Sequence, residues 1–135
     1  MEKTTTIISF LTNTFPELKG IYLFGSQADD TARQDSDWDI ALLFPHTYTP
    51  DNQLLWEAKW DLGGILSAPV DLLNLRQIPI LTKAEIISSA KRIYSSDDFY
   101  CDNYETTIYS MYTKYSEEVA DTVTDIKKRG FVSRR

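Results

Sequence analysis

Residues 23–44 read LFGSQADDTARQDSDWDIALLF. One apolar run stops at Gly25-Ser26, and after ten intervening residues a second run opens with Asp37-Trp38-Asp39. An unpaired carboxylate inside a buried strand is costly, so the placement needs a reason. Residues two apart on a strand share a face, which sends Asp37 and Asp39 out together, about 6 to 7 Å apart, and turns Trp38 and Ile40 toward the core. Two carboxylates so placed repel, and a hard divalent cation such as Mg²⁺, which prefers oxygen ligands, holds both ionised. The plainer alternative is a pair of surface charges where a strand leaves a turn after Ser36.

The Gly25-Ser26 pair weighs against that alternative. It ends a β-branched and aromatic strand, 20–24, and free backbone N–H groups at such a turn form an anion site. Glycine admits a phosphate close to the backbone, and a serine hydroxyl can donate a further hydrogen bond. Ser26 also reads as the N-cap of a brief helix through QADDTA. A third acid, Asp71, sits near the start of a later strand, VDLLNL at 70–75, between Val70 and Leu72. Placed beside the pair it would complete a three-carboxylate cluster able to hold two metals for phosphoryl transfer. Arg33, between turn and acidic pair, is either a phosphate contact or a surface arginine.

The remaining elements frame this segment. Ile7, Ile8, Leu11 and Phe15 mark a first helix ended by Pro16. Residues 37–44 form the second strand, closed by Pro45. Leu54, Leu55, Ala58, Leu62, Ile65 and Leu66 mark a helix that starts near Asp51 and ends by Pro69. The run ILTKAEIISSAKRIY, 80–94, reads as another helix with Ile86, Ile87, Ala90 and Ile93 as its stripe. Beyond Tyr104, a long helix places Ile108, Tyr112, Tyr115, Val119, Val123 and Ile126 on one face, to lie across the domain or against another chain. The predicted fold class is α/β (α+β), a small mixed sheet with helices packed on it. One domain spans 1–135, with a core of 1–95 and a C-terminal helix and basic tail over 103–135.

Composition bounds the function. The chain has 135 residues, 42% hydrophobic and 25% charged, with a net charge of −6. That balance argues against general nucleic-acid binding, which needs clustered cations. Five of the 14 basic residues fall in KKRGFVSRR, 127–135, leaving nine basic against 20 acidic residues over 1–126. The tail reads as a helix end favoured by the dipole, or as a contact for an acidic partner or phosphate. No apolar run approaches the about 20 residues of a membrane span. The first 15 residues do not read as a signal peptide, and the single Cys101 suits a reducing compartment, so the expected location is cytoplasmic. The lone His46 follows Pro45 in a loop and reads as exposed; no catalytic triad, zinc spacing or GxxxxGK[ST] loop is present.

Gly25-Ser26, the ten-residue spacer, Asp37-Trp38-Asp39 and the later Asp71 together resemble the nucleotidyltransferase superfamily typified by DNA polymerase beta. FGSQADDTARQDSDWDIALL is especially similar to its minimal nucleotidyltransferases, among them the MntA-type antitoxins encoded beside HEPN-domain ribonuclease toxins. The resemblance covers about residues 20–75 and implies a nucleotidyltransferase fold. It also implies transfer of AMP from Mg²⁺-bound ATP onto an acceptor hydroxyl, in this type a tyrosine of the toxin. Asp37 and Asp39 would bind the metals, Asp71 would help hold one and activate the acceptor, and Gly25 and Ser26 would hold the triphosphate. Two positions depart from the pattern. Gln27 stands where many minimal members carry arginine, leaving Arg33 as the nearby cation, and Trp38 is bulkier than the usual aliphatic residue.

Two other functions compete with catalysis on a toxin. A binding antitoxin would mask its toxin without chemistry, anchored by Trp56 and Trp60, which are one turn apart and read either as interface anchors or as core aromatics beneath the C-terminal helix. A small-molecule nucleotidyltransferase is disfavoured, because a chain this short has little room for a second, substrate-binding domain.

Overall fold

The segment GIYLF, rich in β-branched and aromatic residues, forms a central strand, β1 (Gly20–Phe24), buried along nearly its whole length. In the computed structural model, which describes residues 2–28 and 36–129, the last eight of these by backbone alone, four strands make one mixed sheet. Its other strands are β2 (Trp38–Leu43), β3 (Val70–Asn74) and β4 (Lys91–Ser95), in the order β3-β2-β1-β4. β1 runs antiparallel to β2 and β4, and β2 runs parallel to β3. The parallel pair is joined by a helix, as such a crossover requires.

The period of two along β2 sorts its side chains between two layers. Trp38, Ile40 and Leu42 enter a core with Ile7 and Leu11 of α1 (Glu2–Thr14) and Ala58, Leu62 and Leu66 of α2 (Asn52–Leu66). Ala41 and Leu43 enter the other core, with Ala84, Ile86 and Ile87 of α3 (Ile80–Ser89) and Cys101 and Ile108 of α4 (Asp98–Arg129). Helices therefore cover both faces, and the two middle strands are buried on both sides.

The caps are local chemistry. Asp51 accepts the Gln53 N–H at 3.0 Å and starts α2, while Ser67, at φ 57°, ends it in the left-handed conformation. Asp97 accepts the Tyr100 N–H at 3.0 Å at the entry to α4, six residues earlier than the aromatic periodicity suggests.

Several expectations need correction. The predicted helix over 80–94 is two elements: α3 stops at Ser89, Ala90 turns extended, and KRIYS becomes edge strand β4. Ile93 therefore packs from the sheet, against the core on the α1–α2 side, and does not continue the α3 stripe. Ile65 is 53% exposed and does not belong to the buried stripe of α2. On α4 the predicted stripe is buried only at Ile108; Tyr112, Tyr115 and Val119 stand in solvent. The Val123 and Ile126 side chains, Arg33 and residues 130–135 of the basic tail lie outside the described residues. No helix among the described residues is long and apolar enough to cross a membrane.

Candidate active site

Backbone register brings the acidic residues together. Asp39 pairs with Phe24 across the antiparallel β1–β2 ladder and with Asp71 across the parallel β2–β3 ladder. The Trp38 N–H donates to the Pro69 carbonyl at 2.9 Å and pins the start of β2 to the approach of β3. Adjacent strands stand about 4.8 Å apart, so Asp39 and Asp71 are direct neighbours. β2 begins at Trp38, one residue later than expected, which puts Asp37 just ahead of the strand. It is exposed and still lines the same cleft as Asp39 and Asp71. Trp38 is buried toward α1 and α2, as the alternation requires.

The Gly-Ser pair meets this group from β1. Gly25 has φ +71°, and a Cβ there would overlap an Asp39 carboxylate oxygen. Only glycine satisfies both the backbone conformation and the contact. Gly25–Gln27 form a single 3₁₀ turn, closed by the Ala28 N–H donating to the Gly25 carbonyl at 3.0 Å. Ser26 is not the N-cap expected of it: that position is Phe24, and the half-buried serine lies inside the turn. Gln27, at the position where an arginine was expected, donates from Nε2 to the Asp37 carbonyl at 3.4 Å and links turn to acidic pair. Nothing in the sequence pattern signalled that bridge.

The cleft has a volume of about 810 Å³ and is lined by the three acids, by Pro69 and Val70 at the head of β3, and by residues of α2. Lys59, Trp60, Gly63 and Gly64 are the α2 residues of that lining. Trp56 and Trp60 are 57% and 59% exposed and meet edge to face at 5.5 Å, so of their two readings the one as core aromatics fails. The Lys59 ammonium lies 5.7 Å from the centre of each ring. His46 is exposed in its loop, as expected.

Burial, and then the neighbouring Asp71 and Asp37 charges, push the Asp39 carboxyl above the usual aspartate range. Among the described residues, no three His, Cys, Asp or Glu side chains converge into a ready-made metal-binding group. The donor set nevertheless fits Mg²⁺, which keeps several waters and is typically held by one or two carboxylates together with substrate phosphates, seldom by an all-protein cage. Hard oxygen donors whose repulsion nothing in the cleft fully offsets suit such a shared cation.

A small mixed sheet with a glycine turn pressed onto an acidic pair, and a third acid on the parallel neighbour, defines an enzyme of nucleotide transfer. Residues 5–99 match the family described as polymerase beta nucleotidyltransferase, and the chain belongs to that family as a nucleotidyltransferase. It is 31% identical over 122 residues to the protein adenylyltransferase MntA of Shewanella oneidensis, covering 89% of this chain and 84% of that one. Among solved structures it is similar to a toxin–antitoxin with AMP-PNP, at TM-score 0.78 and 29% identity, over 92% of this chain and 98% of the other. It is also similar to a chain from a complex of tri-AMPylated Shewanella oneidensis HEPN toxin with its MNT antitoxin, at TM-score 0.74 and 27% identity, covering 93% and 96% of the two chains.

Proposed function

We propose that this chain is an antitoxin that transfers AMP from Mg²⁺-bound ATP to a tyrosine hydroxyl of a cognate HEPN-domain ribonuclease toxin and so neutralises it. One observation carries the reading: Asp39 lies in register with Asp71 directly beneath the bare Cα of Gly25. That arrangement supports reading Gly25-Ser26 as the phosphate-accepting turn and Asp71 as the proton acceptor, on opposite sides of one carboxylate. The likeness to MntA and to toxin-bound structures supplies the donor and the partner.

The backbone of Gly25 and Ser26, with the Ser26 hydroxyl, holds the triphosphate, and Arg33 contributes positive charge to it. Asp37 and Asp39, with Asp71 beside them, would hold Mg²⁺, two ions in the full site, and the metal would neutralise charge at the reacting phosphate. Asp71, exposed on the far side of the pair from the turn, accepts the proton of the tyrosine hydroxyl as its oxygen attacks the α-phosphorus. The bond to the β-phosphate breaks and pyrophosphate leaves toward Gly25. Residues 1–95 supply this chemistry, and the C-terminal helix and tail, 103–135, serve the partner. The acidic body needs neither nucleic acid nor membrane for the reaction. The buried thiol of Cys101 is compatible with the cytoplasm, where ATP is available.

Incubation of the chain with α-labelled ATP, Mg²⁺ and the HEPN-domain protein encoded beside it tests the proposal. Label should pass to that protein and be lost with Asp37→Asn or Asp39→Asn. A second reading, neutralisation by masking alone, is favoured by the uncovered face of α4, where Tyr109, Met111, Tyr112, Tyr115 and Val119 are 39–50% exposed. Full neutralisation by the two asparagine variants without labelling would establish masking and remove the catalytic reading.

A further inference from the structure

We propose that the groove between the end of β3 and α4 is a second ligand site, which takes the phosphate of a mononucleotide between Arg76 and Lys83 and its base against Phe99. The site stands apart from the acidic cleft and does not depend on the adenylyl-transfer reading.

The parallel pairing of β2 and β3 sorts charge along the sheet. The acids stand where these strands begin, while Phe44 and Arg76 lie just past their last residues, roughly 15 Å away at the other end. A cavity of about 480 Å³ opens there, with His46, Arg76, Lys83, Phe99, Tyr104 and Met111 in its lining. Arg76 is fixed in position by the fold. Its Nε donates to the Phe44 carbonyl at 2.7 Å, one Nη donates to the Tyr100 hydroxyl, and the guanidinium lies 4.9 Å from the centre of the Tyr104 ring. The Tyr100 hydroxyl also accepts the His46 backbone N–H at 3.0 Å, which secures that corner. A guanidinium carries five N–H groups, so three remain, and no carboxylate among the described residues meets them. Lys83 is close enough to feel the same charge: burial, and then Arg76, push its ammonium below the usual lysine range. It too makes no ion pair among the described residues. The acid in the lining, Asp97, is engaged elsewhere, with Lys19 at 3.8 Å and the Tyr100 N–H at 3.0 Å. The buried Tyr104 hydroxyl has no hydrogen-bond partner among the described residues, an uncommon state for such a group. Two cations are thus held together with no acid to offset them, the acidic cleft with its sign reversed.

The lining also selects the ligand. An oriented guanidinium beside an ammonium suits phosphate, whose monoester carries about −1.5 to −2 charge at neutral pH. The cavity exceeds a bare anion and falls within the range of small-molecule sites. Phe99, in the first turn of α4, is 76% exposed, and bases stack on bare aromatic rings of this kind. A longer nucleic acid would run onto a body whose net charge is −6, whereas a single nucleotide stays within the basic groove. Because Arg76 joins the end of β2 to Tyr100 and Tyr104, a phosphate bound to it bears on the seating of α4.

Calorimetric titration of the full chain with ADP, and separately with pyrophosphate, tests this; EDTA is present so that no metal bridges phosphate to the acidic cleft. ADP should bind once per chain, and Lys83→Gln or Arg76→Gln should weaken it about tenfold, the loss of one charge-assisted contact. Thermal melts check Arg76→Gln, which also loses bonds to Phe44 and Tyr100; Lys83→Gln breaks no hydrogen bond of the fold and decides the clamp by itself. ADP should bind more tightly than pyrophosphate, and Phe99→Ala should remove the difference. Pyrophosphate bound as tightly as ADP, with both weakened by Lys83→Gln, supports the clamp and overturns Phe99 as the base shelf. No binding of either ligand, or binding unchanged in Lys83→Gln and Arg76→Gln, overturns the site. So does a loss confined to Lys59→Gln, which would put the ligand in the acidic cleft. The titration involves no transfer, so its outcome is separate from that of the adenylyl-transfer reading.

Discussion

The two edges of the sheet treat charge in opposite ways. On the β4 side, the Tyr22 hydroxyl donates to Glu105 Oε2 at 2.7 Å, and Arg92 bridges Glu105 at 2.8 Å and Asp102 at 3.0 Å. Arg92, Asp102 and Glu105 thus satisfy one another within the chain, and the network fastens α4 to β1 and β4. Burial and then Glu105 push the Tyr22 phenol above its usual range, so the hydroxyl stays protonated and donates. On the β3 side, Asp37, Asp39 and Asp71 line one cleft whose lining offers Lys59 as a cation, and that ammonium lies 5.7 Å from the centres of two indole rings. Charge balanced internally serves the fold; charge left unbalanced waits for a ligand.

Variants at the two edges should separate these roles. Asp37→Asn or Asp39→Asn should lower adenylyl transfer by about 10³-fold, measured as label on the partner, with the protein still folded. Gly25→Ala places a methyl on the Asp39 carboxylate at a positive φ; it should lower transfer by about 10²-fold and stability by about 1–2 kcal/mol, read in urea melts. Glu105→Ala strands the Tyr22 hydroxyl and one contact of Arg92. It should cost about 2 kcal/mol of stability while leaving transfer per folded molecule within about twofold. Gly64→Ala, with open space around its Cβ, should add up to about 1 kcal/mol of stability.

Much of the cleft was legible in the sequence because its logic is local. Glycine and serine at a strand end, acids two apart at the next strand start, and one acid at the head of a third strand need only the period of two and parallel register to meet. What stayed hidden depends on distant partners. KRIYS became a strand because β1 offers it an open edge, with a register shift between Ile21 and Tyr22, and no local pattern of apolar residues separates that from one more helical turn. Trp56 and Trp60 left two readings open, interface anchors or core aromatics, because their spacing on a helix does not fix which flank is buried; the folded chain leaves both exposed. Gln27 reaches Asp37 only because β1 and β2 are adjacent, so its bridge appears in the folded chain alone.

The central claim is that the acids of the cleft are held against their own repulsion for the sake of chemistry. With its carboxyl raised in the folded state, Asp39 adds to stability below its unfolded value of about 3.9, and that contribution is lost as pH rises through the higher folded value. At neutral pH the ionised group is a liability, tempered by solvent screening of a half-exposed side chain. The direct measurement is a pair of thermal melts, wild type and Asp39→Asn without divalent cations at pH 7 and pH 4, alongside label transfer with Mg²⁺. The account predicts that Asp39→Asn melts higher than the wild type at pH 7, that the gap closes as pH falls toward 4, and that transfer drops about 10³-fold. A variant that melts lower at pH 7, or that labels its partner at the wild-type rate, would contradict it.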